Sequence, residues 1–309
     1  MVKLIMLLMG ATMVLLQHFA ALSGPEAQFA IFIAGVLVLG IPHGAADLLV
    51  AMRNDSDGGR GFSYLSFFTG YLGRLALFAL ILWVFPIAGL MIFIVIAAFH
   101  FGETDLARYR TEEWYGRLLA GTYGLLLLGV MLLTHMDEVR PFLALLDGSP
   151  AMNKAIDTLE GLRWQMLAFL ALCFLTSLWV YMRKTGQGIA DLGLRTPLSY
   201  MGILFIVYQL PLILGFTFYF VTWHSVISIS RIIGYLCTRN GVRVGKVLSQ
   251  IAFYSLIAIL GIVLVGLAGF MFVDHTSIMW YAFMGLAVLT APHMEVMHEM
   301  YQRLRTTSR

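Results

Sequence analysis

The sequence predicts an all-α protein that crosses a membrane many times, and composition and hydropathy support this fold class. Of the 309 residues, 60% are hydrophobic and only 12% are charged, and the mean hydropathy is +0.85. Soluble domains carry about 25% charged residues, so this chain has too few charges to cover a soluble globule. Disorder requires low hydrophobicity, and no stretch alternates like a β-strand. Residues 1–309 are therefore expected to form one transmembrane helical domain.

Ten apolar stretches are long enough to cross a bilayer, which takes roughly 20 residues of helix. The run that contains the seventh and eighth is divided at Leu214–Gly215, because it is too long for one crossing. The first stretch is expected to be a retained helix, although the small residues AALSG (20–24) also allow a cleaved signal segment. Cleavage would leave nine spans. In order, the ten cover residues 2–22, 27–52, 64–86, 88–105, 115–135, 163–183, 197–214, 215–238, 247–273 and 277–302.

The positive charges predict the orientation of these spans. Ten crossings leave 17 of the 20 Lys and Arg residues on one side, and the side richer in Lys and Arg is cytoplasmic. Both termini are therefore expected in the cytoplasm, with the protein in the inner membrane of the cell. The long outer segment 136–162 is expected to lie along the membrane surface. No basic tract indicates a nucleic-acid partner.

Four of the eight histidines lie at similar depths, near the middle or in the inner half of predicted spans that run in the same direction. They are His43, His100, His224 and His293. Ionisable groups inside a membrane are costly and are usually functional, and imidazole is a ligand of iron, zinc and copper. The pattern therefore predicts a metal or heme site. His18, His135 and His275 fall near outer helix ends and are expected to be ordinary interfacial residues.

Carboxylates accompany two of these histidines at helical spacing. Asp47 follows His43 by four residues and Glu103 follows His100 by three, which places each pair on one helix face. Such a carboxylate commonly accepts the second N–H of a metal-binding imidazole, on its own helix or on a neighbouring one. The alternative is a charge at a solvated helix end, an interpretation that fits Asp105 better than Asp47.

Four motifs resemble those of a known family. GIPHGAADLL (40–49), FHFGETDL (99–106), WHS (223–225) and PHM (292–294) are similar to the histidine motifs of the Brp/Blh family of membrane-bound β-carotene dioxygenases. The resemblance implies cleavage of the central double bond of β-carotene by O2, giving two all-trans-retinal molecules. It implies Fe(2+) as the cofactor, held by His43, His100, His224 and His293. It also implies a functional link to a retinal-binding rhodopsin.

The substrate of such an enzyme would be an apolar rod dissolved in the bilayer. Its site should therefore lie within the membrane, in an aromatic-lined tunnel that opens to lipid and whose wall selects the double bond. No general base is needed, because β-carotene has no acidic proton. Aromatic residues close in sequence to the histidines are the candidates for this wall: Phe99, Phe101, Tyr208, Phe216, Tyr219, Phe220 and Trp223.

Two other functions remain open from the residues alone. A transporter or channel would use buried His and acidic residues as a proton or ion relay. A catalytically silent, carotenoid-binding regulator of the same fold is the other alternative. It is suggested by Ser228, which stands four residues after His224, where some members of the family have a further histidine.

Overall fold

The computed structural model describes residues 2–20, 24–59, 61–146, 148–188, 193, 195–238, 242–270 and 278–307. All regular secondary structure in these ranges is helical, which confirms the predicted all-α class. Eight helical stretches among them are long and apolar enough to cross a membrane, so the protein is membrane-embedded. They are Val2–Phe19, Pro25–Asp57, Tyr64–Val84, Pro86–Asp105, Trp114–Leu133, Arg163–Thr185, Leu212–Cys237 and Val244–Leu264.

Two wide-turned π-helices interrupt the α-helices, and both lie beside predicted site histidines. The first is π1 (Val36–Gly40), and the second is π2 (Thr217–Ser225). The α-helices are α1 (Val2–Ala20), α2 (Pro25–Gly35), α3 (Ile41–Ala45), α4 (Asp47–Asp57), α5 (Tyr64–Val84), α6 (Pro86–Asp105), α7 (Trp114–Leu133), α8 (Met136–Leu146), α9 (Pro150–Gly161), α10 (Arg163–Thr185), α11 (Arg195–Gln209), α12 (Leu212–Phe216), α13 (Val226–Cys237), α14 (Val244–Phe270) and α15 (Ile278–Thr307).

Two of the ten predicted spans, 197–214 and 277–302, have no counterpart of their own among the eight. The first corresponds mainly to α11, which has only 15 residues and is short for a hydrocarbon core of about 30 Å. The second lies in α15, where Pro292, His293 and Glu295 lower the hydropathy. The count of ten spans therefore stays a prediction.

The long apolar run is broken at Pro211 and not at the predicted point, Leu214–Gly215. Proline has no backbone N–H and disfavours a helical conformation in the residue before it, and Pro211 itself is extended, with φ −49° and ψ 151°. The N–H of Leu212 then donates to both carboxylate oxygens of Glu138, at 3.0 and 3.1 Å. Glu138 thereby satisfies a backbone group that the start of a helix leaves open.

Segment 136–162 contains two short amphipathic helices, α8 and α9, where the sequence indicated only a long surface segment. The Ser149 side chain accepts a hydrogen bond from the Met152 N–H at 3.1 Å and so caps α9. Arg140 of α8 donates to Asp157 of α9 at 2.6 Å, and this carboxylate raises the pKa of the Arg140 guanidinium. The ion pair joins the two helices.

The chain forms two compact units. The first comprises Met1–Ala34 and Ala97–His224, and the second comprises Gly35–Ile96 and Ser225–Arg309. In the first unit, α7 packs against α10 and α11, and α1 packs against α11. In the second unit, α15 packs against α4 and α5, and α14 packs against α3. His100 and His224 therefore belong to the first unit, and His43 and His293 belong to the second.

Helices α6 and α7 approach each other closely on either side of His100. A Cβ atom added to Gly102 would overlap the carbonyl oxygen of Ala120, and one added to Gly124 would overlap the carbonyl oxygen of Ala98. Small residues at such crossings let helix backbones meet in a membrane, where packing contacts drive association. The glycines therefore fix the place of His100 in the first unit.

Candidate metal centre

The helix that carries His43 is widened just before it. In π1, the N–H of Ile41 donates to the carbonyl oxygen of Val36, five residues back. Pro42 follows, and a proline in a regular α-helix would lack one hydrogen bond and clash with the preceding turn. The wider turn accommodates Pro42 and leads directly into His43, which is buried.

His43 and His293 form a close pair in the second unit. Their ring centroids are 4.8 Å apart and the rings are nearly perpendicular, at 83°. The Oγ of Ser225 lies 3.3 Å from Nδ1 of His43. Both imidazoles are buried, so two nitrogen-bearing rings from different helices meet inside this unit.

Asp47 orients His293 rather than the histidine of its own helical stretch. Its Oδ1 lies 2.7 Å from Nδ1 of His293, and its Oδ2 accepts a hydrogen bond from the Tyr71 hydroxyl at 3.0 Å. An N–H on Nδ1 that points at a carboxylate leaves the lone pair on Nε2, the arrangement common in metal-binding histidines. Asp47 is only 3% exposed, so the interpretation as a solvated charge is wrong for this residue.

An ion pair joins α5 and α15, the two helices that carry Tyr71 and His293. Arg74 of α5 donates from Nη2 to Oε1 of Glu295 in α15 at 2.7 Å. Arg74 lies within a candidate span, Tyr64–Val84, and is one of the 17 basic residues counted on the cytoplasmic side in the ten-span prediction. Its partner Glu295 offsets that charge.

His100 and His224 form the corresponding pair in the first unit. Their ring centroids are 5.0 Å apart, with an interplanar angle of 69°. His224 has no exposed surface and lies in π2. Phe220 stacks on the His224 ring at 6.0 Å and 13°, and Phe101 packs edge-on against it at 4.9 Å. Aromatic rings thus surround this imidazole.

The two carboxylates of the FHFGETDL motif are buried. Glu103 is 1% exposed and Asp105 is 5% exposed, so neither is the solvated helix end that the sequence allowed. Asp105 accepts hydrogen bonds from the Tyr123 hydroxyl at 2.7 Å, the Tyr219 hydroxyl at 3.2 Å and the Trp223 indole N–H at 3.0 Å. The predicted hydrogen bond from a histidine to Glu103 stays a prediction.

The other histidines have different surroundings. His18 is exposed on α1. His135, expected to be interfacial, is buried, and its Nδ1 lies 2.9 Å from the carbonyl oxygen of Met131. Nε2 of His298 lies 2.8 Å from Nε2 of Gln302. His275 lies outside the described residues.

Most of the proposed wall residues lie inside the protein, with one exception. Phe101, Tyr219, Phe220 and Trp223 are buried, and Phe99 and Phe216 are partly buried. Tyr208 is 47% exposed and so lies at the surface of the protein. Tyr219 and Trp223 also donate hydrogen bonds to Asp105, a role that sequence proximity to His224 did not indicate.

The donors present fit a metal ion of the iron type, although each pair alone is incomplete. Neutral imidazoles suit iron, and the hydrogen bond between His293 and Asp47 is typical of a ligand held by an outer partner. Among the described residues, no group of three or more His, Cys, Asp or Glu side chains is arranged to hold a metal. The four-histidine set therefore stays a prediction built on two observed pairs.

Comparisons with known proteins agree with the motifs. The β-carotene 15,15′-dioxygenase family matches residues 34–301. A relative with that name, from an uncultured marine bacterium 66A03, is 23% identical over 273 residues, which cover 85% of this chain and 90% of the relative. No solved structure matches the chain. Because the family match covers most of the sequence and includes all four histidine motifs, the chain belongs to the β-carotene 15,15′-dioxygenase family.

Proposed function

We propose that this protein cleaves the central double bond of β-carotene with O2, releasing two molecules of all-trans-retinal. Each half of the substrate becomes an aldehyde and takes one oxygen atom, so the reaction needs no separate reductant. The proposal further assigns one Fe(2+) ion to His43, His100, His224 and His293. Retinal made in this way would be available to a retinal-binding rhodopsin.

The observation that carries the proposal is the pairing of the four predicted histidines, two in each unit. Each pair brings two buried imidazoles within about 5 Å of each other. Two nitrogens alone leave most of the coordination positions of an iron ion empty, whereas four leave room for O2 without a carboxylate ligand. An iron ion would supply the means to activate O2.

The protein's own groups orient the ligands and exclude water. Asp47 holds Nδ1 of His293 and thereby sets its ring plane. Phe101 and Phe220 pack on His224 and offer apolar surface of the kind that a polyene substrate requires. Buried residues around the histidines keep bulk water away, which protects a hydrocarbon reaction from side reactions.

Single histidine variants in β-carotene-accumulating cells test this function. Wild-type protein should bleach the orange colour and produce retinal, measured by chromatography. His43→Ala, His100→Ala, His224→Ala and His293→Ala should each remove most of the iron from the purified protein and nearly all retinal, because each removes one of four ligands.

His18→Ala is the matched control, since it removes an exposed imidazole from α1 and should change neither iron content nor retinal yield. His298→Ala should have an intermediate effect, because His298 lies little more than one helical turn beyond His293. Full iron occupancy in His224→Ala would contradict the four-histidine site.

A proton or ion relay is the second candidate, and one observation favours it. Tyr71, Asp47 and His293 form a hydrogen-bonded chain inside the second unit, and such chains occur in proton pathways. A relay predicts purified protein without iron and proton flux in vesicles. A silent carotenoid-binding regulator predicts bound β-carotene without retinal.

We also propose the finer topology that the charges predict. The chain would cross the inner membrane ten times, with both termini in the cytoplasm and segment 136–162 on the outer surface. The 17-to-3 distribution of Lys and Arg supports it.

A further inference from the structure

Asp105 is a buried carboxylate that the proposed chemistry does not use. It lies on α6, five residues after His100, and is 5% exposed. A carboxylate in such a place costs several kcal/mol unless hydrogen bonds compensate its lost hydration. Three donors of the first unit surround it: the hydroxyls of Tyr123 and Tyr219 at Oδ2, and the Trp223 indole N–H at Oδ1.

Two of the three donors come from π2, the helical segment of His224. Trp223 is the residue directly before His224, and Tyr219 lies five residues before it, about one π-helical turn away. π-Helical turns are rare and occur mainly as short segments at functional sites. We therefore expect the geometry of π2 to depend on contacts with the rest of the fold. Asp105 supplies two such contacts beside His224.

The third donor, Tyr123, has a different role because it belongs to α7. Its ring stacks on Tyr200 at a centroid distance of 4.0 Å, and the Tyr200 hydroxyl donates to the Tyr123 carbonyl oxygen at 2.7 Å. Tyr123 therefore holds Asp105 from the side of α7, whereas Tyr219 and Trp223 hold it from π2. Oδ2 of Asp105 thus accepts two hydrogen bonds, one from Tyr123, which braces α6, and one from Tyr219, which positions π2.

We propose that Asp105 is a positioning residue for the His100–His224 pair. Its carboxylate connects α6, which carries His100, to π2, which carries His224, and so fixes the 5.0 Å separation of the two rings. The inference rests on the proposed function, in that the pair is taken to bind the metal. Asp105 itself has no role as a ligand or acid.

The two tyrosines provide a matched test, because each substitution removes one hydroxyl from the same carboxylate oxygen. The experiment titrates four purified proteins with Co²⁺ alone: wild type, Tyr219→Phe, Trp223→Phe and Tyr123→Phe. The visible absorption bands of the bound Co²⁺ would report the geometry of its imidazole ligands. Thermal unfolding of the same samples, without metal, measures stability separately.

Tyr219→Phe and Trp223→Phe should weaken Co²⁺ binding by about 10-fold or more, as is typical when outer partners of ligands are lost, and should shift the absorption bands. Tyr123→Phe should lower the melting temperature but leave affinity and bands nearly unchanged. Asp105→Asn should retain the Co²⁺ affinity and the absorption bands, since its amide can accept a hydrogen bond from Trp223 and donate hydrogen bonds to the tyrosine hydroxyls. Asp105→Ala should lose both the affinity and the bands.

The outcomes separate this inference from the proposed function. Wild-type protein that shows no Co²⁺ bands dependent on His224 would contradict the metal site itself. The second outcome concerns Asp105 itself. If wild type shows these bands, but Tyr123→Phe and Tyr219→Phe both weaken Co²⁺ binding in proportion to their loss of stability, then Asp105 is a structural brace only. That result would overturn the positioning role.

Discussion

Asp47 connects three helices of the second unit through its two carboxylate oxygens. It lies at the start of α4 and contacts His293 of α15 and Tyr71 of α5. A buried carboxylate with two donors is compensated for its lost hydration. The same bonds hold one nitrogen of His293 and leave its ring in a fixed orientation. The hydrogen bonds that compensate the buried charge of Asp47 thus also orient a proposed metal ligand.

Asp47→Asn should lower metal affinity or activity by about 10–100-fold, the usual effect of losing an outer partner of a ligand histidine. The amide retains the shape but withdraws the charge that strengthens the bond from the imidazole. Iron content and retinal yield of the variant measure the effect. Glu103→Gln is expected to fall in the same range.

Tyr71→Phe is the control for Asp47→Asn, because it removes a donor from the far oxygen of Asp47 and leaves the contact with His293 intact. It should have the smaller effect. Complete loss of iron in Asp47→Asn would make Asp47 a ligand, and an unchanged yield would contradict its orienting role.

The helices differ in how far the sequence revealed them. Long apolar stretches such as Tyr64–Val84 are evident, since a spanning helix has a distinctive length and composition. The π-helices next to His43 and around His224 are not, because their wide turns depend on contacts from elsewhere in the fold. The break at Pro211 had a local signal in the proline itself, which hydropathy alone did not use.

The site shows the same division between local and distant information. The four histidines and Asp47 stand out because polar residues in apolar helices are rare. Their pairing within units was not readable from spacing, since His100 and His224 are brought together by helix packing. The burial of Asp105 was not predicted, because its three donors lie 18 or more residues away in the sequence.

Gly124 and Gly121 of α7 provide a test of helix packing. A Cβ at Gly124 would overlap the Ala98 carbonyl of α6, whereas a Cβ at Gly121 would have no atom within 4 Å. Gly124→Ala should therefore destabilise the protein by about 1–3 kcal/mol through overpacking. Gly121→Ala should be neutral or stabilising by up to about 1 kcal/mol, because alanine is the better helix former.

Thermal unfolding in detergent compares the two variants with wild type. Since Ala98 and Gly102 lie on either side of His100, Gly124→Ala should also reduce retinal yield more than Gly121→Ala does. Equal melting temperatures for the two variants would show that α6 and α7 are not in close contact.

At the scale of the whole molecule, each unit contributes one histidine pair from helices that are far apart in sequence. The chain passes between the units after residues 34, 96 and 224, so neither unit is a continuous segment. Four ligands distributed over residues 43–293 make the proposed metal site dependent on the fold of nearly the entire chain. A truncated protein that lacks α15 should therefore lose the site even though three of the four histidines remain.

The number of membrane crossings depends on α11 and α15, which are not among the eight candidate spans. If α11 crosses the membrane, the chain returns to the cytoplasm by residue 240, whereas if α12, π2 and α13 form the only crossing between residues 195 and 238, residue 240 lies outside. Arg239, Arg243 and Lys246 follow α13, and such clusters favour the cytoplasmic side. Without Arg74, which lies within α5, 16 of the remaining 19 basic residues still fall on that side (17 − 1 of 20 − 1).

Reporter fusions at residues 57, 147, 240 and 309 test this topology in cells. The ten-span arrangement predicts cytoplasmic signals at 57, 240 and 309 and an external signal at 147. A fusion at 309 alone cannot distinguish eight crossings from ten, because both numbers are even, so the fusion at 240 is the decisive one. An external signal there would mean that α11 stays on one side of the membrane. An external signal at 309 alone would mean that α15 does not cross, and an external signal at 57 would reverse the orientation. Because a short α11 is compatible with a locally thinned bilayer at modest cost, and because the basic cluster at 239–246 is strong, we expect the cytoplasmic result.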